Sequence, residues 1–183
     1  LEMDIKAYVE GSGAYKAGWV LVEDVPFDPV LREACAANYC GSYGKNHTCP
    51  PNVGEINALI AQAQQYKYLL LYQTVGQLED SFDFEGMQDA GLVHKQLTLE
   101  IRDGIDLPDA LTLGAGGCRI CETCAAKTDE PCRFPARALA SLEAYGINVS
   151  KTAALAGMNY INGENTVTYF SGIFLPAHYQ IQM

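Results

Sequence analysis

Cations are scarce in this chain: 12 Lys and Arg stand against 22 Asp and Glu over 183 residues, a formal charge of −10. Binding to a phosphate backbone draws on clustered Lys and Arg that release counterions, so no nucleic-acid partner is expected. Long apolar runs are missing as well. Tyr68-Leu69-Leu70-Leu71-Tyr72 and Gly172-Ile173-Phe174-Leu175 fall far short of the roughly 20 residues that cross a bilayer, so no membrane association is expected. The N-terminus, with Glu2, Asp4 and Lys6, lacks a basic region leading into an apolar core, and no secretory signal is expected. Leu1-Glu2 ahead of Met3 is read as a remnant foreign to the natural chain. Histidines number three, and no Ser-His-Asp or Cys-His nucleophilic set can be assembled. Gly114, Gly116 and Gly117 do not make a dinucleotide fingerprint, because Cys118 stands where a helix would have to begin.

Cysteine, by contrast, is plentiful. Seven of them, in a chain too long to need disulfide staples, read as metal ligands in a reducing cytoplasm. The odd count also leaves at least one outside any set of internal bridges. With 49% hydrophobic residues the chain has enough apolar surface for one core, so a single domain over 1–183 is expected, with 1–18 a loosely ordered or edge segment.

The periodicities give a fold class. Trp19-Val20-Leu21-Val22 is β-prone, and Asp28-Pro29 offers an N-cap and first-turn proline for a helix from Leu31 to Ala37. Asn52-Val53-Gly54-Glu55 has capping-box spacing ahead of Ile56, Leu59, Ile60 and Ala63 at helical intervals. Lys67 to Val75, apolar on both faces, is expected to be a central strand covered on each side. Met87, Ala90, His94, Leu97 and Ile101 mark an amphipathic helix from Glu85 to Arg102. Ala110 to Ala115 reads as another buried strand. Pro135 is expected to open a helix carrying Leu139 and Leu142 that ends at Gly146, followed by a helix from Asn148 to Ala156. Tyr160-Ile161, Asn162-Gly163 and Thr166 to Leu175 have the pattern of a β-hairpin. The class expected is an α/β sandwich, a mixed β-sheet flanked by helices and carrying two cysteine-bearing loops.

The chemistry concentrates in those loops. Cys118-x2-Cys121-x2-Cys124 places three thiolates within seven residues, and Cys132 supplies a fourth seven positions on. One loop can thus wrap a cubane with backbone N–H groups pointing at its sulfur. The interval before Cys132 is longer than in the ferredoxin run C-x2-C-x2-C-x3-C-P. Zinc also accepts four thiolates but favours two C-x2-C pairs around a longer insert, so iron–sulfur, most simply [4Fe-4S], is the leading cofactor and zinc the alternative. Cys35-x4-Cys40-x8-Cys49 is an incomplete set. These three either hold a second cluster with an open coordination position, join the other four in one composite site, or are packed and loop thiols with no metal. One or two clusters per chain follow from these options.

Both groups lie in segments that resemble the DUF2284 family of predicted metal-binding proteins of anaerobic bacteria and archaea. The segments run from Cys35 through Cys40-Gly41-Ser42-Tyr43-Gly44-Lys45-Asn46-His47-Thr48-Cys49-Pro50-Pro51, and from Gly117-Cys118-Arg119-Ile120-Cys121-Glu122-Thr123-Cys124 through Cys132-Arg133-Phe134-Pro135 to Ser141-Leu142-Glu143-Ala144-Tyr145-Gly146-Ile147. His47 stands where the family usually has Trp, and Ala140 where Pro often occurs. The resemblance spans roughly residues 20 to 175 and implies metal binding by all seven cysteines without naming a reaction.

His47, two residues before Cys49, reads as a hydrogen-bonding neighbour in preference to a ligand, and His94 as a satisfied core or interface residue in preference to a base. Arg119, Arg133, Lys127 and Lys45 flank the cysteines, where they offset a thiolate-ligated cluster, hold a small anionic ligand, or are solvated loop charges. Three functions stay open: electron transfer with a redox partner protein, an enzyme with an open-site iron, and a zinc-stabilised binding module. No catalytic residue is identified.

Overall fold

The computed structural model describes residues 3–183, so the reading of Leu1-Glu2 lies outside it. Five helices, α1 (Ile5–Gly11), α2 (Leu31–Ala36), α3 (Ile56–Ala63), α4 (Phe84–Ile105) and α5 (Val149–Leu155), surround four strands, β1 (Lys16–Leu21), β2 (Tyr68–Gln77), β3 (Leu111–Leu113) and β4 (Thr166–Leu175). The sheet order is β1-β2-β4-β3.

β2 is central, as its two-sided hydrophobicity predicts, and Tyr68 to Gln73 are all buried. Side-chain alternation sends Leu69 and Leu71 into one apolar layer with Leu59 and Ala63 of α3 and Ala153 of α5. Tyr68, Leu70 and Tyr72 enter the other, with Ile5 and Val9 of α1 and Ile101 and Ile105 of α4. Each fully buried leucine of the strand contributes about 2 kcal/mol.

The α/β class holds, and the sheet ladders are antiparallel throughout. Helix α4 carries the chain from β2 to β3, with β4 inserted between them. β2 and β3 therefore run in the same direction without touching. The parallel component expected of a mixed sheet is confined, among the described residues, to the single bridge between Gly114 and Ser141.

That bridge also accounts for the missing helix after Pro135. Gly114 N–H donates to Ala140 C=O at 2.8 Å and Leu142 N–H to Gly114 C=O at 3.0 Å, so Ala140 to Leu142 run alongside β3's end. Only a 3-10 turn, Glu143–Tyr145, follows; it stops at Gly146 with φ +71°. A Cβ there would sit 3.0 Å from Ile60 Cδ1 and 3.1 Å from Asp28 O. The expected hairpin is absent too. Asn162 Nδ2 donates to Thr168 Oγ1 at 3.0 Å and Gln73 Nε2 donates to Asn159 O at 2.9 Å, which holds the segment before β4 as a loop while β4 pairs with β2 over ten residues. Helix α3 starts at Ile56, later than the capping-box reading, because Asn52 turns back toward Asn46 O at 3.3 Å. The N-terminal segment expected to be loose or at an edge forms α1, capped by Asp4, before entering edge strand β1. No described helix is long and apolar enough to cross a membrane.

A polar chain runs beneath α4. His94 is fully buried. Thr98 Oγ1 donates to His94 C=O at 3.0 Å, so in its 2.9 Å contact with Ser171 Oγ the serine is the donor. With its one proton spent, Ser171 accepts from His94 Nε2–H at 2.7 Å, and Nδ1 accepts from the Thr74 hydroxyl at 2.7 Å. The ring is therefore the neutral Nε2–H tautomer. The Tyr72 hydroxyl is buried beside this network without a well-formed hydrogen bond of its own.

Burial lowers the His94 pKa from 6.5 to about 4. The unfolded chain then binds the extra proton across that window and the folded chain does not. This group's contribution to stability is intact above about pH 6.5 and declines by about 3 kcal/mol as pH falls to about 4. Imidazole nitrogen NMR at about pH 5 should show His94 neutral with its proton on Nε2; an imidazolium there would contradict the network.

Candidate metal centre

The first cysteine loop leaves α2, where Cys35 sits in the last turn. Asn38, at φ 59°, accepts the Tyr43 N–H at its side chain, 3.0 Å away, and Gly44 N–H donates to Pro50 C=O at 2.9 Å. The Cys49 N–H closes a turn on Asn46 C=O at 3.1 Å, and Val53 N–H caps Cys49 C=O at 3.0 Å. Cys40 is exposed, while Cys35 and Cys49 are half-buried.

The second loop leaves edge strand β3 and is closed at its base by the Gly114–Ser141 bridge, so all four of its cysteines lie inside one pinned loop. Ala125 and Ala126 bury a 3-10 turn directly after Cys124. Arg133 Nη1 donates to Thr123 C=O at 3.0 Å. Cys118, Cys121, Cys124 and Cys132, each half-buried, line one shared pocket together with His47 and Thr48 of the first loop.

The two loops are clasped directly. Asn46 Nδ2 donates to Cys118 C=O at 2.9 Å, Cys118 N–H donates to Thr48 Oγ1 at 3.0 Å, and Thr48 Oγ1 donates to Asn46 Oδ1 at 2.9 Å. His47 Nε2–H donates to Glu130 C=O at 2.7 Å, two residues before Cys132. His47 thus staples the first loop to the second. From the opposite layer Lys95 of α4 donates to Gly117 C=O at 2.6 Å. Gly117 has to be small: a Cβ would lie 3.1 Å from Cys49 Sγ and 3.2 Å from Asn46 Nδ2.

Burial and neighbouring charge act on three of the thiols. Burial pushes the Cys118 thiol up, and the charges of Cys132, Cys121 and Cys124 push it the same way, while the Ile120 N–H aimed at it opposes them. Burial likewise raises Cys49, with Cys40 and Cys35 adding to the rise and Thr48 and Lys95 countering it. Cys35 is raised by burial, lowered by Arg32, and raised by Cys40 and Glu143. Lys95 is lowered by burial and by Arg119, while Cys118 of one loop and Cys49 of the other both oppose that fall. Without a bound cation Cys35, Cys49 and Cys118 are held toward the protonated thiol, so metal loading there must displace protons.

Among the described residues no three His, Cys, Asp or Glu side chains converge on a point that would hold a single metal ion. Zinc takes four thiolates at about 2.3 Å from one centre, a demand the four cysteines of the second loop meet in number. Thiolates are soft ligands suited to zinc, copper(I) and iron–sulfur cores.

Residues 18–175 match the family of predicted metal-binding proteins designated DUF2284. The chain belongs to this family. No curated protein and no solved structure matches it. The DUF2284 span takes in all seven cysteines and strands β2, β3 and β4 whole. Metal binding is the property the DUF2284 description carries, and the cysteine loops are where this chain concentrates soft ligands.

Asn46, Thr48 and Lys95 escaped the reading of the sequence. The first two could have been flagged as short polar residues bracketing His47 between cysteine positions. Lys95 carries no signal, since it is one surface lysine of an amphipathic helix until the fold lays Gly117 against it.

Proposed function

We propose that Cys118, Cys121, Cys124 and Cys132 hold a [4Fe-4S] cluster and that the protein carries electrons to a partner protein in an anaerobic, cytoplasmic pathway. The observation that carries this reading is the single pocket lined by all four thiols, three of them at the successive x2 intervals that let one loop wrap a cubane. When bound, such a cluster supplies one-electron redox chemistry. The chain's own part is to set its surroundings. The Ile120 N–H faces a ligand sulfur, Arg133 fixes the loop backbone, and the Asn46–Thr48 clasp fixes Cys118. The formal charge of −10 suits docking to a basic redox partner, and half-exposed thiols suit a compartment poor in oxygen.

A second reading rests on the grouping of Cys35, Cys40 and Cys49. Cys40 raises both Cys35 and Cys49, and three thiols so grouped, with no fourth cysteine in their loop, would leave a metal group one coordination position for water or substrate, which is the requirement for Lewis-acid catalysis.

The test is anaerobic purification followed by iron, labile sulfide and EPR measurement. Roughly four irons and four sulfides per chain indicate one cubane, and about eight of each indicate two. An EPR spectrum altered by small molecules favours the open site. One equivalent of zinc without sulfide would overturn both readings and leave a zinc-stabilised module.

A further inference from the structure

We propose that the recess between α4 and the second cysteine loop, where Lys95, Arg119 and Arg137 meet an apolar wall, binds a small organic carboxylate. The recess holds about 350 Å³, its open mouth included, and continues outward along α4 past the same three cations. Only 12 Lys and Arg occur in the whole chain, so three lining one recess is a local reversal of an acidic surface.

Each cation keeps donors to spare. Lys95 uses one N–H on Gly117 C=O, which leaves two. Arg137 places Nη1 on Asp103 Oδ2 at 3.0 Å and retains its other N–H groups. Arg119 stands outside all four ion pairs of the described residues, and its planar fork matches a carboxylate. Asp103, the acid paired with Arg137, is already shared with Arg102.

The wall decides the class of anion. Leu99, Ile120 and Leu139 line the recess, and its exposed lining is mainly carbon. Inorganic phosphate would leave that surface unused, whereas an alkyl or aryl acid covers it, the usual division of labour in a small-molecule site. Cys118 lies on the same rim, so the bound acid ends beside the metal loop. The site stands whichever metal the cysteines take.

The full chain, metal-loaded as isolated, is titrated with benzoate, butyrate and inorganic phosphate by calorimetry and amide NMR. Benzoate or butyrate should saturate with a Kd at or below about 1 mM, shifting the amides of Leu99 and Gly116, while phosphate binds more weakly. Arg119→Gln should weaken the acid about tenfold or more with metal content unchanged. Arg137→Gln provides an independent check in the same direction. Absence of saturation by about 20 mM, wild-type affinity in both variants, or phosphate binding as tightly as benzoate would each overturn the proposal. Because the readout is binding and not redox activity, a protein that holds zinc in place of iron still gives a clear answer.

Discussion

Cys121→Ser is expected to empty the four-thiol pocket of iron while leaving the metal content of the Cys35 set in place. Cys121 is the middle thiol of the x2–x2 run, and its pocket position is shared with Cys118, Cys124 and Cys132. Serine offers a hard, protonated oxygen where a soft thiolate is required. The loss should therefore exceed the roughly 10- to 100-fold that changes in supporting hydrogen bonds produce. Cys40→Ser is the matched control. Cys40 acts on Cys35 and Cys49, whereas Cys118 responds to Cys132, Cys121 and Cys124, so each variant should shed only its own share of iron. Iron and sulfide counts with EPR on both proteins, purified without oxygen, decide the matter. If either change strips all the metal, the seven thiols serve one composite centre and the two-set description fails.

How much of this was legible in the sequence depended on how local the cause was. β2, α4 and α5 are where their periodicity puts them, because one-sided or two-sided burial writes a repeat that needs no knowledge of partners. Gly146 was legible for the same reason, as a helix-stop residue that does adopt φ +71°. The elements that were misplaced are those whose backbone is claimed by distant groups. Leu139 and Leu142 have helical spacing, yet Ala140 C=O and Leu142 N–H pair with Gly114. Asn162-Gly163 has a hairpin turn's composition, yet the Asn162 amide reaches Gln73 and Thr168. Asn52 reads as a cap, yet it serves the cysteine loop. At the site, the spacing of Cys118, Cys121, Cys124 and Cys132 is a local statement about one loop. The joining of that loop to Cys49 is not, since it depends on contacts separated by 70 and 72 residues.

Those contacts carry the second large effect. Asn46→Ala is expected to destabilise the protein by about 3 kcal/mol and to loosen metal at the Cys118 set. The Asn46 side chain is buried and serves three partners at once: Cys118 C=O at 2.9 Å, Thr48 N–H at 3.0 Å and the Thr48 hydroxyl at 2.9 Å. Alanine leaves all three without it, and each buried group so orphaned costs about 1–3 kcal/mol, less where water can enter beside the pocket. The damage also propagates, because the Thr48 hydroxyl that Asn46 orients is the acceptor for Cys118 N–H at 3.0 Å. Asn46→Asp separates the roles: it keeps the acceptor for Thr48 and loses the donor to Cys118 C=O, so it should recover part of the stability but not the grip on Cys118. Asn52→Ala, which removes only a 3.3 Å bond at an exposed position, should cost ~0.5 kcal/mol or less. Denaturant unfolding before and after chelation distinguishes fold from metal. If Asn46→Ala unfolds at the wild-type midpoint and keeps its full metal content, the two loops are held together by something other than this clasp.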